Sequence, residues 1–462
     1  MSLSASLEKA FKAVLPTPFS IAVILTMITM ALALSLTGSE ATGASRIQEV
    51  LGFWEQGLWN TPLMVFAMQM MLMLVLGHAL ALTAPIDRII STATRFCSST
   101  AHAAAIVTLL TVLVALFNWG LGLIFGAILA RKVGEHAVRN RIELNYPLVA
   151  AAGYSGLMVW HGGISGSAPI KVAEQGHITS MMSTILRPEQ LELLPDPISF
   201  SETIFGTMNL AATLLLVTVL PLFMFIMGRA YSKGDQFPIL ETKTESIESD
   251  INGAEHLDHS KVFGIVIGSI VTAYCLFLAV STFSSAAFGF ITPNFINLLL
   301  LGLGILLHQN IFNFLNAIDS AIGGASGILI QFPLYFGIMG IMNGSGLVHI
   351  FSDFFVSVSS RESFPVFTLI SASIVNIFVP SGGGQWSVQG PMVIQAAMEL
   401  GANIPKSIMA LAYGDQLTNM LQPFWALPLL GITGLKAKEI LPYSLALMIV
   451  GSVIFLSVLI LF

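Results

Sequence analysis

Charged side chains are scarce in this sequence: Asp, Glu, Lys and Arg together make up 10% of its 462 residues, and 55% are hydrophobic. Soluble domains carry about 25% charged residues on average. A composition this apolar, divided into long uncharged runs, excludes a soluble domain and indicates an all-α polytopic membrane protein. The net charge of −6 also offers no basic patch for a nucleic acid.

Cysteine is nearly absent, and so are the motifs of common enzymes. Cys97 and Cys275 lie in or beside apolar segments, which indicates neither a disulfide framework nor a metal site. The sequence contains no P-loop, G-x-S-x-G, H-E-x-x-H or C-x-x-C motif. It therefore predicts no enzyme, no cofactor and no structural metal.

Uncharged segments of membrane-spanning length recur along the chain. They fall at about 16–37, 61–84, 102–130, 146–170, 203–228, 262–283, 289–309, 323–345, 363–398, 405–434 and 440–462. The first is too long for a cleavable signal peptide and predicts a transmembrane helix. Between Arg229 and Lys261 the chain is acidic and poor in apolar residues, which predicts a linker.

The sequence after the linker repeats the order of features found before the linker. Each half has two spans, an amphipathic connector, a long segment broken by polar residues, a second broken segment and a final span. Gln69 precedes Asn118 by 49 residues, and Gln331 precedes Asn376 by 45. We therefore predict inverted repeats of 5+1+5 elements. The predicted parts are a first repeat at 1–228, a cytoplasmic acidic linker with a connecting transmembrane helix at 229–288, and a second repeat at 289–462.

Each repeat is predicted to hold one re-entrant hairpin and one broken helix. The hairpins fall near 102–131 (hairpin 1) and 363–399 (hairpin 2), and the broken helices at 146–171 and 405–434. The centre of hairpin 2 is rich in glycine and cannot continue a helix. Lipid cannot satisfy the polar groups of broken backbone, which is tolerated at membrane depth only where it lines a protein-enclosed cavity. Polar breaks at matching positions of two halves indicate a transporter's binding site.

Positive charges support this topology. We place the N-terminus in the cytoplasm and let each hairpin return to its own side. In this topology 14 of the 19 Lys and Arg residues face the cytoplasm and five lie outside. Those five are Arg46, Lys171, Arg187, Arg361 and Lys406. Positive residues favour the cytoplasmic side of a membrane protein.

The hairpin tips are the first candidates for substrate contact. Glycines let backbone N–H groups face a ligand, and a helix restarting after a break presents its positive end to an anion. A glycine-rich structural turn is the alternative. The predicted substrate-binding residues at the two tips are Asn118, Trp119 and Gly120, and Ser381, Gly382, Gly383, Gly384, Gln385 and Trp386.

The second broken segment holds Asp415, the single acid or base well inside a predicted span. Such a residue is costly in a membrane and marks an ion or substrate pathway. Thr418, Asn419 and Gln422 follow it at helical spacing, so all four face one side. Their oxygens suit Na⁺, while a desolvated Asp can equally carry a proton. A structural hydrogen-bond network is the alternative.

The first broken segment begins with His161, whose imidazole titrates near neutral pH. We include it among the ion-coupling candidates, although a lone histidine in a membrane more often serves as a hydrogen-bonding partner. Gly162, Gly163 and Ser165 follow it and are predicted to line the substrate site.

These motifs resemble a known family. Phe117-Asn-Trp-Gly-Leu-Gly122, Val379-Pro-Ser-Gly-Gly-Gly-Gln-Trp386 and Tyr413-Gly-Asp-Gln-Leu-Thr-Asn419 are similar to signatures of the short-chain fatty acid (acetoacetate/butyrate) uptake transporters of the ion transporter superfamily. The resemblance covers nearly the whole chain. It implies inverted repeats, paired hairpins and an elevator-type movement of a transport domain. The Ser-Asn-Thr tips of dicarboxylate relatives are missing, so their sodium sites do not transfer.

The sequence thus predicts a secondary active transporter that imports acetoacetate, butyrate or similar monocarboxylates, coupled to H⁺ or Na⁺. The lack of Lys or Arg between the breaks favours a single carboxylate. Two alternatives remain open: a cation/proton antiporter that uses Asp415 alone, and a channel or sensor on the same scaffold. The expected location is the bacterial cytoplasmic (inner) membrane, and the resemblance suggests a homodimer.

Overall fold

The computed structural model describes residues 16–39, 41–183, 186–232, 253–286 and 292–462. Across these ranges the chain folds into α-helices and short 3-10 turns, without a β-strand. Seven described helices are long and apolar enough to cross a membrane, which confirms the prediction of an all-α polytopic membrane protein. They are Pro18–Leu36, Thr61–Ala81, Thr100–Phe117, Thr207–Ala230, Lys261–Thr282, Ile311–Gly344 and Ala437–Leu461.

Eleven α-helices are described in the part of the chain before the linker. They are α1 (Pro18–Leu36), α2 (Ala44–Leu58), α3 (Thr61–Ala81), α4 (Ala84–Thr94), α5 (Thr100–Phe117), α6 (Trp119–Arg139), α7 (Tyr146–Tyr154), α8 (Ser167–Ala173), α9 (His177–Met182), α10 (Pro188–Leu191) and α11 (Thr207–Ala230). Asn60, Ser99 and Asn145 cap α3, α5 and α7 with their side-chain oxygens, as short polar residues do at helix starts.

Most of the linker's predicted acidic residues (Glu241, Glu245, Glu248 and Asp250) lie outside the described residues. Ten α-helices are described after the linker. They are α12 (Lys261–Ala286), α13 (Pro293–His308), α14 (Ile311–Ile322), α15 (Ser326–Gly344), α16 (Leu347–Ser357), α17 (Phe364–Phe378), α18 (Gly382–Leu400), α19 (Ile404–Thr418), α20 (Pro423–Thr433) and α21 (Ala437–Leu461).

Helices α2 and α14 have no counterpart in the sequence prediction, because both are amphipathic and carry polar residues. Helix α2 packs closely on α15: a Cβ added to Gly57 would lie 2.3 Å from the Phe336 carbonyl oxygen. Its Arg46 is buried, and pairs with Glu49 one turn further along the helix. A search for uncharged runs overlooks such helices even when they pack firmly.

Helices α5 and α6 form hairpin 1 and run antiparallel. A Cβ on Gly122 would lie 2.6 Å from Ala115, and one on Gly126 would lie 2.7 Å from the Thr111 methyl group. Residue numbers thus rise along one arm as they fall along the other. Asn118 separates the arms in extended conformation. Helix α5 has 18 residues and counts among the seven possible spans.

Helices α17 and α18 form hairpin 2. The Gln385 side chain donates to the Ala372 carbonyl (2.9 Å), and that of Gln389 donates to the Ser371 hydroxyl (3.1 Å). The α17 arm has 15 residues and is shorter than α5. Here the helix-capping position belongs to Ser381. Asn376, which the sequence spacing matched to Asn118, lies inside α17 and is buried.

Both predicted broken helices are interrupted in the structure. The first leaves α-helical conformation after Tyr154, passes through two 3-10 turns and resumes at Ser167. The second has a 3-10 turn at Asn419–Leu421 and resumes at Pro423. We call residues 155–166 the first break and residues 419–422 the second break.

Candidate functional site

The two hairpin tips and the two breaks lie together at the centre of the molecule. The backbone N–H of Trp119 in hairpin 1 donates to the Ser165 hydroxyl in the first break (2.9 Å). Gly382 at the tip of hairpin 2 packs on the same break, since an added Cβ would lie 2.8 Å from the His161 ring. The first break in turn contacts the helix before the second one through His161 and Asp415. Four segments far apart in sequence therefore form one site.

A buried histidine–aspartate pair lies in this centre. His161 Nε2 is 2.9 Å from Asp415 Oδ2, and the two side chains are 0% and 1% exposed. The backbone N–H of Ser167 donates to the other ring nitrogen, Nδ1 (3.2 Å). A nitrogen that accepts a hydrogen bond carries no proton, so a neutral His161 holds its proton on Nε2, facing the carboxylate. Gln416, the residue after Asp415, accepts from the His161 backbone N–H (2.9 Å).

The polar residues of the second break face hairpin 2. The side-chain amide nitrogen of Asn376 lies 2.5 Å from the Asp415 carbonyl, 3.0 Å from the Thr418 hydroxyl and 2.8 Å from Asn419 Oδ1. The amide of Gln422 donates to the Asn376 carbonyl. These contacts place three of the five predicted ion-coupling residues around one asparagine. The side chains of the other two, Asp415 and His161, pair with each other.

Buried polar atoms at and beside the second break lack hydrogen-bond partners. Within the described part of the chain they are three oxygens, Oδ1 of Asp415, Oδ1 of Asn376 and Oε1 of Gln422, and one donor, Nδ2 of Asn419. A buried polar atom without a partner costs about 1–3 kcal/mol, so each one needs an explanation. A proton or a bound cation supplies what such a set of oxygens lacks.

Two carbonyls of the second break also accept from the other half of the chain. Pro423 has no N–H, so it cannot pair with the carbonyl of Asn419. The Tyr154 hydroxyl lies 2.7 Å from that oxygen and 3.1 Å from the Gln422 carbonyl, and can donate its proton to either one. Tyr154 is the last residue of α7, directly before the first break.

The tip of hairpin 2 keeps part of its backbone open. Ser381 accepts from the Gly384 N–H with its hydroxyl (3.2 Å) and from the Gln385 N–H with its carbonyl (2.7 Å). A Cβ on Gly382 would meet Trp160 and His161, whereas one on Gly383 would meet nothing within 4 Å. The start of α18 thus leaves room for a ligand at Gly383. A helix start favours a negative charge there.

The side chains that follow this tip have protein partners. Besides joining the two arms, the Gln385 amide donates to Gln389 Oε1 (2.7 Å). Trp386 is buried, and its indole N–H donates to His177 Nε2 (3.0 Å). Burial of the imidazole lowers the pKa of His177, a residue of α9 outside the spanning helices. Gln385 and Trp386 were predicted to bind substrate, and here they fasten hairpin 2 to itself and to α9.

The tip of hairpin 1 is closed by its neighbours. Asn118 accepts from the Leu121 N–H with its side chain (2.9 Å), while Ser165 occupies the Trp119 N–H. A Cβ on Gly120 would lie 2.9 Å from the Met73 sulfur. Gly163 lies against the Leu116 carbonyl, and the Gly162 carbonyl accepts from Asn209 Nδ2 (2.9 Å). Among these predicted residues, Trp119, Ser165 and Gly163 join hairpin 1 to the first break.

Sequence reasoning missed several residues of the site. Asn376 was noted only as the middle of a hairpin, and Gln416, Tyr154 and Asn209 were not considered. Asn209 joins the first break to α19, because the Tyr413 hydroxyl donates to its Oδ1 (2.9 Å). Gln416 and Asn376 are polar residues within apolar runs, a signal that could have identified them. Tyr154 carries no such signal.

Two solved transporter structures have a distant likeness to this chain. The Alcanivorax borkumensis YdaH transporter gives a TM-score of 0.45 at 13% sequence identity, covering 95% of this chain and 97% of that one. Neisseria gonorrhoeae MtrF, described in connection with antimetabolite efflux pumps, gives a TM-score of 0.39 at 12% identity, covering 97% of both chains.

Sequence relatives are much nearer. The chain is 36% identical over 456 residues to an Escherichia coli K12 protein named as a candidate short-chain fatty acid transporter, covering 97% of this chain and 96% of that one. A Haemophilus influenzae Rd protein with the same name is 35% identical over 449 residues, with 96% and 95% covered. A family model described as short chain fatty acid transporter matches residues 1–462. The chain therefore belongs to the short-chain fatty acid transporter family.

Proposed function

We propose that this protein is a secondary active transporter that imports short-chain fatty acids or similar small monocarboxylates across the bacterial cytoplasmic membrane. The observation that carries the proposal is the meeting of two hairpin tips and two helix breaks around the buried pair of His161 and Asp415. Open backbone at Gly383 gives a carboxylate its place beside a helix start. Membership of a transporter family favours transport over catalysis.

The proposal includes inverted repeats. Helices α1 to α8 and α13 to α20 follow a similar order, each with a hairpin and then a broken helix. The first two helices of each half pack on the third helix of the other half. Helices α1 and α2 pack on α15, while α13 and α14 pack on α3. Such reciprocal packing is what two related halves facing each other produce. An elevator-type movement would carry the hairpins and breaks past these outer helices.

Coupling to H⁺ or Na⁺ is assigned to the second break and its partners. Three oxygens there, Asp415 Oδ1, Asn376 Oδ1 and Gln422 Oε1, lack a partner among the described residues, against one donor, the Asn419 amide nitrogen. A cation bound there would offset the carboxylate charge, which is expensive to leave uncompensated at membrane depth. Transport of an anion with that cation then moves less net charge through the membrane.

Uptake of radiolabelled butyrate and acetoacetate by proteoliposomes tests the proposal. We expect accumulation against the substrate gradient when either a pH gradient or a Na⁺ gradient is imposed. Substrate uptake that depends on neither gradient and never exceeds equilibrium would identify a channel instead. Protein-free liposomes measure the permeation of the protonated acid through lipid.

A cation/proton antiporter is the second candidate, and the buried pair of His161 and Asp415 favours it because that pair needs no organic substrate. The same proteoliposomes distinguish the two functions. Exchange of Na⁺ for H⁺ at full rate without any carboxylate would support the antiporter.

A further inference from the structure

Four aromatic side chains from four separate elements meet beside the tip of hairpin 1. We call them the aromatic box: Phe66 of α3, Trp119 of α6, Trp160 of the first break and Trp425 of α20. The ring centre of Trp119 lies 5.7 Å from Trp160, 5.2 Å from Trp425 and 6.1 Å from Phe66. Phe66 and Trp425 are 6.1 Å apart. Trp119 is thus the common neighbour of the other three rings.

Two indole N–H groups of the box have no hydrogen-bond acceptor among the residues that the structure describes. They belong to Trp160 and Trp425, whose side chains are each 3% exposed. A buried donor without an acceptor is destabilising, and native proteins retain few of them. Two such donors, on rings that both pack on Trp119, indicate that an oxygen from a ligand completes this place.

The position of the box fits a ligand held by hairpin 2. Trp160 lies against the His161 ring, with 3.6 Å between ring centres, and against Gly382 of the hairpin 2 tip. Trp119 and Phe66 are half-buried, so that side of the box is less enclosed than the side formed by Trp160 and Trp425. The walls are aromatic hydrocarbon, which accepts a short apolar chain and offers no partner for a second carboxylate.

We propose that the aromatic box is the subsite for the short acyl chain of the transported carboxylate. The indole N–H groups of Trp160 and Trp425 donate to an oxygen on that chain, such as the ketone oxygen of a 3-oxo acid. The box thereby makes the transporter prefer 3-oxo acids to saturated acids of the same length. This inference rests on the proposed transport of monocarboxylates.

A purely structural explanation competes with this proposal. The planes of Trp119 and Trp425 are 80° apart, a T-shaped arrangement in which an indole N–H can point into the other ring. Such an N–H···π contact would satisfy the donor weakly without any ligand. Replacing Trp425 would then alter the stability of the protein and leave its substrate preference unchanged.

The experiment measures the preference for acetoacetate over butyrate in proteoliposomes containing the full-length protein. Trp160→Phe and Trp425→Phe retain an aromatic ring and remove the N–H group. We expect each variant to lose about tenfold in kcat/KM for acetoacetate, the cost of about one buried hydrogen bond. The value for butyrate, which has no oxygen on its chain, should fall by a smaller factor, so that the ratio of kcat/KM for acetoacetate to that for butyrate decreases several-fold.

Trp54→Phe is the matched control. Its indole N–H is also buried without an acceptor in the described part of the chain, but it lies on α2 against Gly337, away from the box. We expect its acetoacetate preference to equal that of the wild type. Equal loss for both acids in the box variants, or an unchanged preference, would overturn the inference.

A second variant tests the walls of the box independently of the N–H groups. Phe66→Leu shortens one half-buried wall and should let hexanoate compete several-fold better against butyrate uptake. An unchanged order of competition from acetate to octanoate would contradict an acyl-chain subsite. If the wild type transports neither butyrate nor acetoacetate, the proposed function fails. If it transports both but the variants keep its preference, only the box fails.

Discussion

The two hairpin tips are built differently although they meet at one centre. Hairpin 1 is closed: Ser165 occupies the Trp119 N–H, and Met73 covers Gly120. Hairpin 2 is open at Gly383, next to a serine cap and at the start of a long helix. The two tips are therefore suited to different roles in the proposed site. Hairpin 2 is suited to hold an anion by its backbone, while hairpin 1 contributes the ring of Trp119.

The largest expected effect comes from filling the open tip. Gly383→Val has room to fold, yet its branched side chain covers the N–H groups at the start of α18. We expect butyrate uptake to fall at least about 100-fold, since charge-assisted hydrogen bonds are stronger than neutral ones. Gly52→Val on α2, where an added Cβ also meets nothing within 4 Å, is the control for a β-branched residue in a helix. Near-normal butyrate affinity in Gly383→Val would end the assignment of the anion to hairpin 2.

Removal of the Asp415 charge should separate binding from accumulation. Asp415→Asn keeps the shape of the side chain next to His161 and takes away its change of charge. We expect exchange of butyrate down its gradient to persist, while accumulation driven by a pH or Na⁺ gradient is lost about tenfold or more. Full accumulation in this variant would move the coupling to another residue, His161 first. A western blot of the purified proteoliposomes controls for insertion.

Cysteine labelling compares the accessibility of the tips from the two sides of the membrane. In a background without Cys97 and Cys275, one cysteine replaces Trp119 and another replaces Ser387, an exposed residue one turn after Gly383. We expect an impermeant reagent to label position 119 from the cytoplasm and position 387 from outside, each several-fold faster than from the opposite side. Labelling of both positions from the same face would exclude inverted hairpins.

The smallest expected effect concerns the contact of hairpin 2 with α9. His177 must be neutral to accept from Trp386, and burial lowers its pKa below the usual value. Glu174 and Asp196 act in the opposite direction, and Lys171 acts with burial. The contact therefore stabilises the fold above the ordinary histidine pKa, and is lost as the pH falls through the lowered one.

His177→Gln keeps an acceptor that does not titrate near neutral pH. We expect the difference in unfolding free energy between wild type and variant to change by at most about 1 kcal/mol between pH 7.5 and 5. Thermal unfolding in detergent at both pH values measures it. Identical pH dependence of the two proteins would show that His177 does not respond to pH at this contact.

Apolar runs and polar breaks were enough to predict the helices that carry the site. Uncharged stretches of spanning length and glycine-rich interruptions are local features, and the structure places helix ends near them at Phe117, Phe378 and Thr418. The site contacts are not local. His161 and Asp415 are 254 residues apart, and only the packing of the two halves brings them together. A pattern within one segment cannot specify its partner in another.

Spacing alone also misplaced one correspondence. It matched Asn118 with Asn376 because both are asparagines near the middle of a broken segment. In the structure the residue that caps the second arm is Ser381, 50 residues after Gln331, while Asn118 is 49 after Gln69. Serine and asparagine both cap helices, so the chemistry of the position is kept when the residue type changes. Asn376 is left free to bind the second break.

The Tyr154 hydroxyl has a consequence for how the protein is made. It serves carbonyls of Asn419 and Gln422, which the ribosome adds more than 260 residues later. Until then the buried tyrosine hydroxyl lacks these acceptors, and hydrocarbon offers no substitute. The first half of the chain therefore cannot complete its packing at the site before the second half is inserted. We expect chains that end soon after the linker to be unstable and to be degraded by membrane proteases.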